Sequence, residues 1–377
     1  MRKFFLTIIC SAMTLAIVLT SCRNPYSNDD VYSNENGTPP PREPVYAEGH
    51  TVAAQLAWVQ TFGQTGGYYL VTAHLANEVI YATQVIRYGN RQNITVRILG
   101  QNSGRTLSLN GPIGSMFLVE KPAGSVTLIL ENITLVGYPN NRINALVEVN
   151  EGGTLEMRTG SVITGNMHDP AIVSLDFQPA GVEVTGGTFT MRGTARIHNN
   201  HGRRSGAVSL DYSILIMKDD ALIAGNSAGE TGGGISISRA SVFMYNDAAI
   251  IGNHAAIYGG GVVVGGSLNM HGNSVRISDN TAASGAGGVL VSWFQGSTIN
   301  ISGGTIYGLN EPLYTNTIAA GNGAALRTDG GIVRVVNYTA CSSGGRGTIV
   351  PSSTITTFIP TTDNTIRVRN NGTYASW

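Results

Sequence analysis

The chain has 377 residues, 12% of them charged, with 23 basic against 23 acidic side chains and 49 glycines. So even and sparse a charge leaves no basic stripe for phosphates, so nucleic acid is not an expected partner. Glycine without a three-residue period, beside only 13 prolines, excludes collagen, and the length allows a sizeable core.

In chain order, Met-Arg-Lys supplies a basic start and Phe4 to Leu19 is an uncharged apolar run. A run of this length with these flanks predicts an export signal over residues 1–21. Leu-Thr-Ser-Cys, residues 19–22, resembles the lipobox of bacterial lipoproteins. The resemblance implies cleavage before Cys22 and lipid on its thiol and its new amino terminus. Several acyl chains on one cysteine would hold the protein on a membrane far longer than one chain can. Cys10 leaves with the signal and Cys341 then stands alone, so no disulfide is expected within the chain.

Residues 22–49 are rich in Asn, Ser, Pro and Tyr, with PPPREP at Pro39 to Pro44, and read as an extended, disordered tether. Residues 50–67 hold one amphipathic stretch, Thr51 to Gly63, with Val52, Leu56 and Val59 on one helical face. From about Tyr68 to Trp377 the chain reads as strand and turn. MRTGSVITGN ending at Asn166, MRGTARIHNN at Asn200, MKDDALIAGN at Asn226, MYNDAAIIGN at Asn253 and MHGNSVRISDN at Asn280 align with one another, as does ISGGTIYGLN at Asn310. Between them a second column runs through PAIVSL from Pro170, GAVSL from Gly206, GGISI from Gly233, GGVVV from Gly260, GGVLV from Gly287 and AALRT from Ala324.

In the tightest part both columns repeat every 27 residues. Each period carries three alternating runs, ISI at Ile235, SVFMY at Ser241 and AAII at Ala248, separated by Gly, Asn, Asp and Ser. This predicts an all-β chain over residues 68–377: a right-handed, single-stranded parallel β-helix of three strands per coil. Roughly ten or eleven coils fit at this period. The helix at Thr51 is expected to cap the first coil, because an open end of strand edges invites aggregation.

GG followed by Ile or Val, with the recurring I-x-G-N, resembles the GGAI and FxxN repeats of chlamydial polymorphic membrane proteins. GGTFTM at Gly186 to Met191 is more similar still to β-helix lipoproteins of spirochaetes such as treponemes. The resemblance implies the β-helix fold and adhesin-like binding at the cell surface. The polymorphic proteins end in a membrane barrel for which the expected coils leave no room, and lipid on Cys22 would take over its anchoring role.

The repeat also weighs candidate sites. Asp219 and Asp220 look like a catalytic pair, yet they align with Gly193-Thr194, Asn246-Asp247 and Gly303-Gly304, residues chosen for turns. The Asn column predicts a ladder of stacked amides. Gly259 to Gly261 recur with the coil and lack the Lys-Ser/Thr of a phosphate loop. His198 and His201, beside Arg203 and Arg204, read as a solvated corner suited to an acidic partner, with no third metal ligand. The alternative catalytic candidates are Asp176, Asp211 and Arg239. Asp176 and Asp211 end AIVSLD and GAVSLD, so on adjacent coils they are expected to stack about 5 Å apart, a spacing that suits a retaining glycosidase. Asn150 is expected one coil earlier in that column and Arg239 just past it one coil later. Apart from the last residue, Trp377, Trp293 is the only tryptophan in the coils, which leaves no aromatic platform for a sugar. The expectation is therefore a lipid-anchored protein of the outer membrane surface, either adhesin-like and binding host protein, matrix or glycan or an envelope surface component, with no cofactor, and a carbohydrate-active enzyme (polysaccharide lyase or glycoside hydrolase) as the alternative.

Overall fold

The computed structural model describes residues 43–121, 124–142, 144–169, 179–272, 274–292, 296–307, 316–318, 326–328, 332–335 and 366–368. Pro44–Trp377 forms one compact unit. The other unit, Met1–Glu43, carries the predicted signal, Cys22 and most of the tether and, save Glu43, lies outside the described residues. Asp176, Trp293 and Cys341 lie outside them as well.

Strands separated by one period pair in parallel, in register, over about nine turns, which makes the chain a parallel β-helix. Among the described strands one pairing is antiparallel, that of Gly304–Ile306 with Ile366–Val368. The ten or eleven coils expected exceed this number because the period is not constant. Thr188 to Ile214 is one coil of 26 residues, while Thr154 to Thr188 is one coil of 34.

Each coil gives two runs to an 18-stranded sheet, one to a 10-stranded sheet and, in the later coils, one to a five-stranded sheet. ISI and SVFMY, read as separate strands, belong to one strand, Ile235–Met244, broken by a register shift between Ser238 and Ser241. The third sheet was not legible in the sequence. Its strands, such as Ser227–Ala228 and His254–Tyr258, bury only Ala228 and Ala255. A run with one small inward residue carries no hydrophobic alternation to detect.

Elsewhere alternation decides which side chains enter the core. Leu155, Phe189, Leu215, Val242, Leu268 and Ile299 stack as one wholly buried column. Ile163, Ile197, Ile223, Ile250 and Ile277 form another. Like side chains at one coil's spacing fill the interior without gaps.

Helix α1 (Val52–Phe62) closes the first coil as expected and buries Val52, Leu56 and Val59. Thr51 Oγ1 accepts from the Ala54 amide at 3.1 Å, the usual N-cap bond. Gln55 makes a reciprocal pair with the Thr72 backbone, Nε2 to O at 2.9 Å and N to Oε1 at 2.7 Å. Its amide thus does for an edge strand what a neighbouring strand would do. Val45–Tyr46, inside the stretch read as tether, pair with Tyr69 and Leu70 and cover a second part of that edge.

Candidate functional site

The corner containing Asp219 and Asp220 is architecture. Asp219 sits at φ +59°, matching Gly193 at +59° and Asn246 at +56° on the coils either side. Its carboxylate accepts from the Gly193 amide at 2.9 Å and from Asn246 Nδ2 at 3.1 Å, while Asp220 is exposed. Gly260 is likewise a corner, where a Cβ would lie 2.3 Å from the Thr281 carbonyl oxygen.

The Asn ladder is present and longer than the repeat alignment gave. Asn200, Asn226, Asn253 and Asn280 each donate backbone N–H and Nδ2 to the Oδ1 of the next rung, at 2.8–3.1 Å. Asn141 joins below by donating to Asn166 Oδ1. The upper rung is Asn316, not the expected Asn310, which lies outside the described residues. Asn141 was missed because it follows its strand by five residues where Asn166 follows by two (Val136 pairs with Thr164), and Asn316 because it lies 36 residues past Asn280.

The expected stacking of Asp211 on Asp176 is overturned. Val208–Asp211 pairs with Val182–Thr185, so the residue below Asp211 is Thr185. Gly-Val-Glu-Val-Thr, residues 181–185, presents the same buried-outward alternation as GAVSLD and occupies its place. PAIVSL and Asp176 lie outside the described residues, and the register partner of Asp211 on the coil below is Thr185. Asn150 does stand in the column, directly after Val149, which pairs with Val184.

Arg239 is where the sequence put it, one residue beyond Ser238, the partner of Asp211 on the coil above. Its Nε and Nη2 donate to the two Asp211 carboxylate oxygens at 3.1 and 2.9 Å, and Nη1 donates to the Tyr212 hydroxyl at 2.9 Å. The guanidinium lies 4.2 Å from the centroid of the Tyr212 ring. Tyr212 is 63% exposed and supplies the aromatic surface thought to be lacking. Sequence reading passed over it, although it follows Asp211 directly.

Both residues carry an unusual backbone. Tyr212 has φ +47° and Arg239 φ +48°, at the column position Gly186 fills at φ +69° on the coil below. For a bulky side chain this region is an outlier, costing about 1–2 kcal/mol at a residue such as Tyr212. The contacts formed in return are largely exposed to water and correspondingly weak. Strain of this kind is kept where what the residue displays matters.

Two other polar groups are structural. Arg97, Glu131, Arg158, Glu156 and Arg192 form a chain of ion pairs along the outer face of the long sheet. Burial opposes charge on Glu156, but hydrogen bonds from Arg158 and Arg192 outweigh it and hold the carboxyl below its usual range. The HNNH segment is no loose corner, since His198 ends the strand Arg196–His198 and His201 begins His201–Gly202. His201 Nδ1 lies 2.7 Å from Ser227 Oγ, and burial pushes both imidazoles below the ordinary histidine value. Arg204 pairs with Glu230 of the same chain at 2.9 Å. No group of three or more His, Cys, Asp or Glu that could hold a metal occurs among the described residues.

No family model matches the chain, and neither a curated protein nor a solved structure matches it.

Proposed function

We propose that the protein is a lipid-anchored β-helix of the outer membrane surface, held through Cys22, that acts by adhesin-like binding to host protein, matrix or glycan. It would then be a counterpart of the spirochaete and chlamydial β-helix proteins its repeats resemble. One observation supports binding over catalysis. The Asp211 carboxylate is engaged by Arg239 through two hydrogen bonds and has Thr185 below it and Ser238 above. Neither residue stacked directly on it is a carboxylate, whereas a retaining hydrolase needs a pair of them about 5 Å apart. A rigid stack of near-identical coils also suits many weak contacts in parallel, where avidity replaces single-site affinity.

Cells displaying the chain should adhere to immobilised matrix proteins or glycans, and the absence of adhesion across such a panel would sink the reading. Replacing Cys22 with Ala should move the protein from the membrane fraction to the soluble one. Retention on the membrane would remove the lipid anchor from the proposal. Incubation of the purified protein with polysaccharides should release no shortened or unsaturated fragments, and release of either would make it an enzyme.

A further inference from the structure

We infer that Asp211, Tyr212, Arg239 and Glu151 form a subsite for a neutral glycan; this rests on the binding reading above and names its ligand class. The starting point is the left-handed backbone at Tyr212 and Arg239. Glycine takes this position on the coil below without strain, so the fold does not require either side chain. Both point into solvent, Tyr212 at 63% exposure and the Arg239 side chain at 57%. Their purpose is what they present.

The shape of that surface follows from the coil spacing. Tyr212, Gly186 and Glu151 occupy one corner on three successive coils. With strands about 4.8 Å apart, the Glu151 and Tyr212 corners are about 9.6 Å apart, and only a glycine lies between them. The Glu151 side chain leans onto Gly186, its Cβ and Cγ 3.3 and 3.5 Å from where a Cβ there would lie, so exposed Glu151 forms a shallow ledge beside the Tyr212 ring. Arg239 covers one face of that ring, while Gly186, next below Tyr212 in the column, carries no side chain. The electron-rich face of a tyrosine favours a partner with polarised C–H bonds, such as one face of a pyranose.

Charge selects among sugars. Arg239 is neutralised by Asp211, and Glu151 has Lys121 at the same corner on the coil below it, so the corner has no surplus of positive charge to attract an anionic uronate. Side by side, the pair still offers an acceptor and a donor, which match two vicinal hydroxyls. Outward Thr185, Ser209, Ser236 and Ser238 flank it on the same sheet and extend the hydrogen-bonding surface along a chain of sugars.

The test is calorimetric titration of the full-length protein with cellotetraose, mannotetraose and a galactan tetrasaccharide, with a polygalacturonate tetrasaccharide as the anionic probe. At least one neutral probe should bind saturably. Tyr212→Gly should weaken that binding by at least about tenfold, the loss of a stacked ring, and Asp211→Asn should weaken it too. Because glycine relieves the strain, the melting temperature of Tyr212→Gly should not fall, which separates lost contact from lost fold. Binding of the uronate alone, no binding of any neutral probe, or binding unchanged by Tyr212→Gly would each overturn the subsite. Adhesion to the matrix panel that persists in Tyr212→Gly without neutral-glycan binding would remove the subsite and keep the adhesin reading. Failure of the parent chain to adhere at all would remove both.

Discussion

The Glu78 carboxylate, on the first coil, accepts the Val52 amide at 2.8 Å and the Ala53 amide at 3.2 Å at the start of α1. A residue of the body thus caps the helix that covers it, with its negative charge on the positive end of the helix dipole. Glu78 is 5% exposed, so Glu78→Ala leaves one buried and one half-buried donor unpaired and should cost about 2 kcal/mol. Glu78→Gln keeps the acceptor and loses the charge, for about 1 kcal/mol. Denaturant unfolding of the two variants checks the order, and a Glu78→Gln variant as stable as the parent would show that the charge contributes nothing.

Asn253 holds its neighbours on both sides. It accepts from the Asn226 amide and side chain and donates to the Ile223 carbonyl and to Asn280 Oδ1, all buried. Asn253→Ala strands an amide and a carbonyl that water does not reach, and should cost about 3 kcal/mol. Exposed Asn246 has the same amide but sits at a corner with φ +56°, so Asn246→Gly should stay within about 0.5 kcal/mol of the parent. Comparable losses in thermal unfolding would refute the ladder as a source of stability.

Two glycines separate clash from strain. A Cβ on Gly260 meets the Thr281 and Gly287 carbonyl oxygens, whereas Gly252, at φ +64°, has open space around it. Gly260→Ala should therefore cost about 3 kcal/mol by overpacking, and Gly252→Ala only about 1 kcal/mol of backbone strain. If the two melt alike, the coil yields at Gly260 more readily than its packing implies.

What the sequence made legible follows the same division. Identical residues at one period, such as Asn226 and Asn253 or Gly233 and Gly260, share one environment, so the columns could be read without coordinates. Where a coil carries an insertion, register is set by which run buries its alternate residues: Val182 and Val184 are buried and pair with Val208 and Leu210, which puts Thr185 under Asp211. Tyr212 escaped notice because strain is a property of φ, and only comparison with Gly186 at the same corner would have exposed it.

His168 makes the fold sensitive to acid. It is 3% exposed, its Nδ1 accepts from the Arg203 amide at 3.2 Å, and its Nε2 lies 3.2 Å from the Asn144 carbonyl oxygen. An amide aimed at Nδ1 fixes the neutral tautomer, with the proton on Nε2 donated to Asn144. Burial first, then the nearby His201, push its pKa from 6.5 down to about 4, against the pull of the backbone acceptors. The unfolded chain therefore binds the proton more tightly than the folded one. The stability contribution is complete above about pH 6.5 and is lost as pH falls toward about 4, by up to about 3 kcal/mol. His198, His201 and His271 are shifted in the same direction by burial, which adds to the slope. Unfolding free energy measured in urea should thus fall between about pH 7.5 and 5, above the range where the lowered carboxyl of Glu156 contributes. His168→Gln, which can still donate to Asn144 but cannot titrate, should flatten that slope, and an unchanged slope would shift the acid sensitivity to the other three histidines.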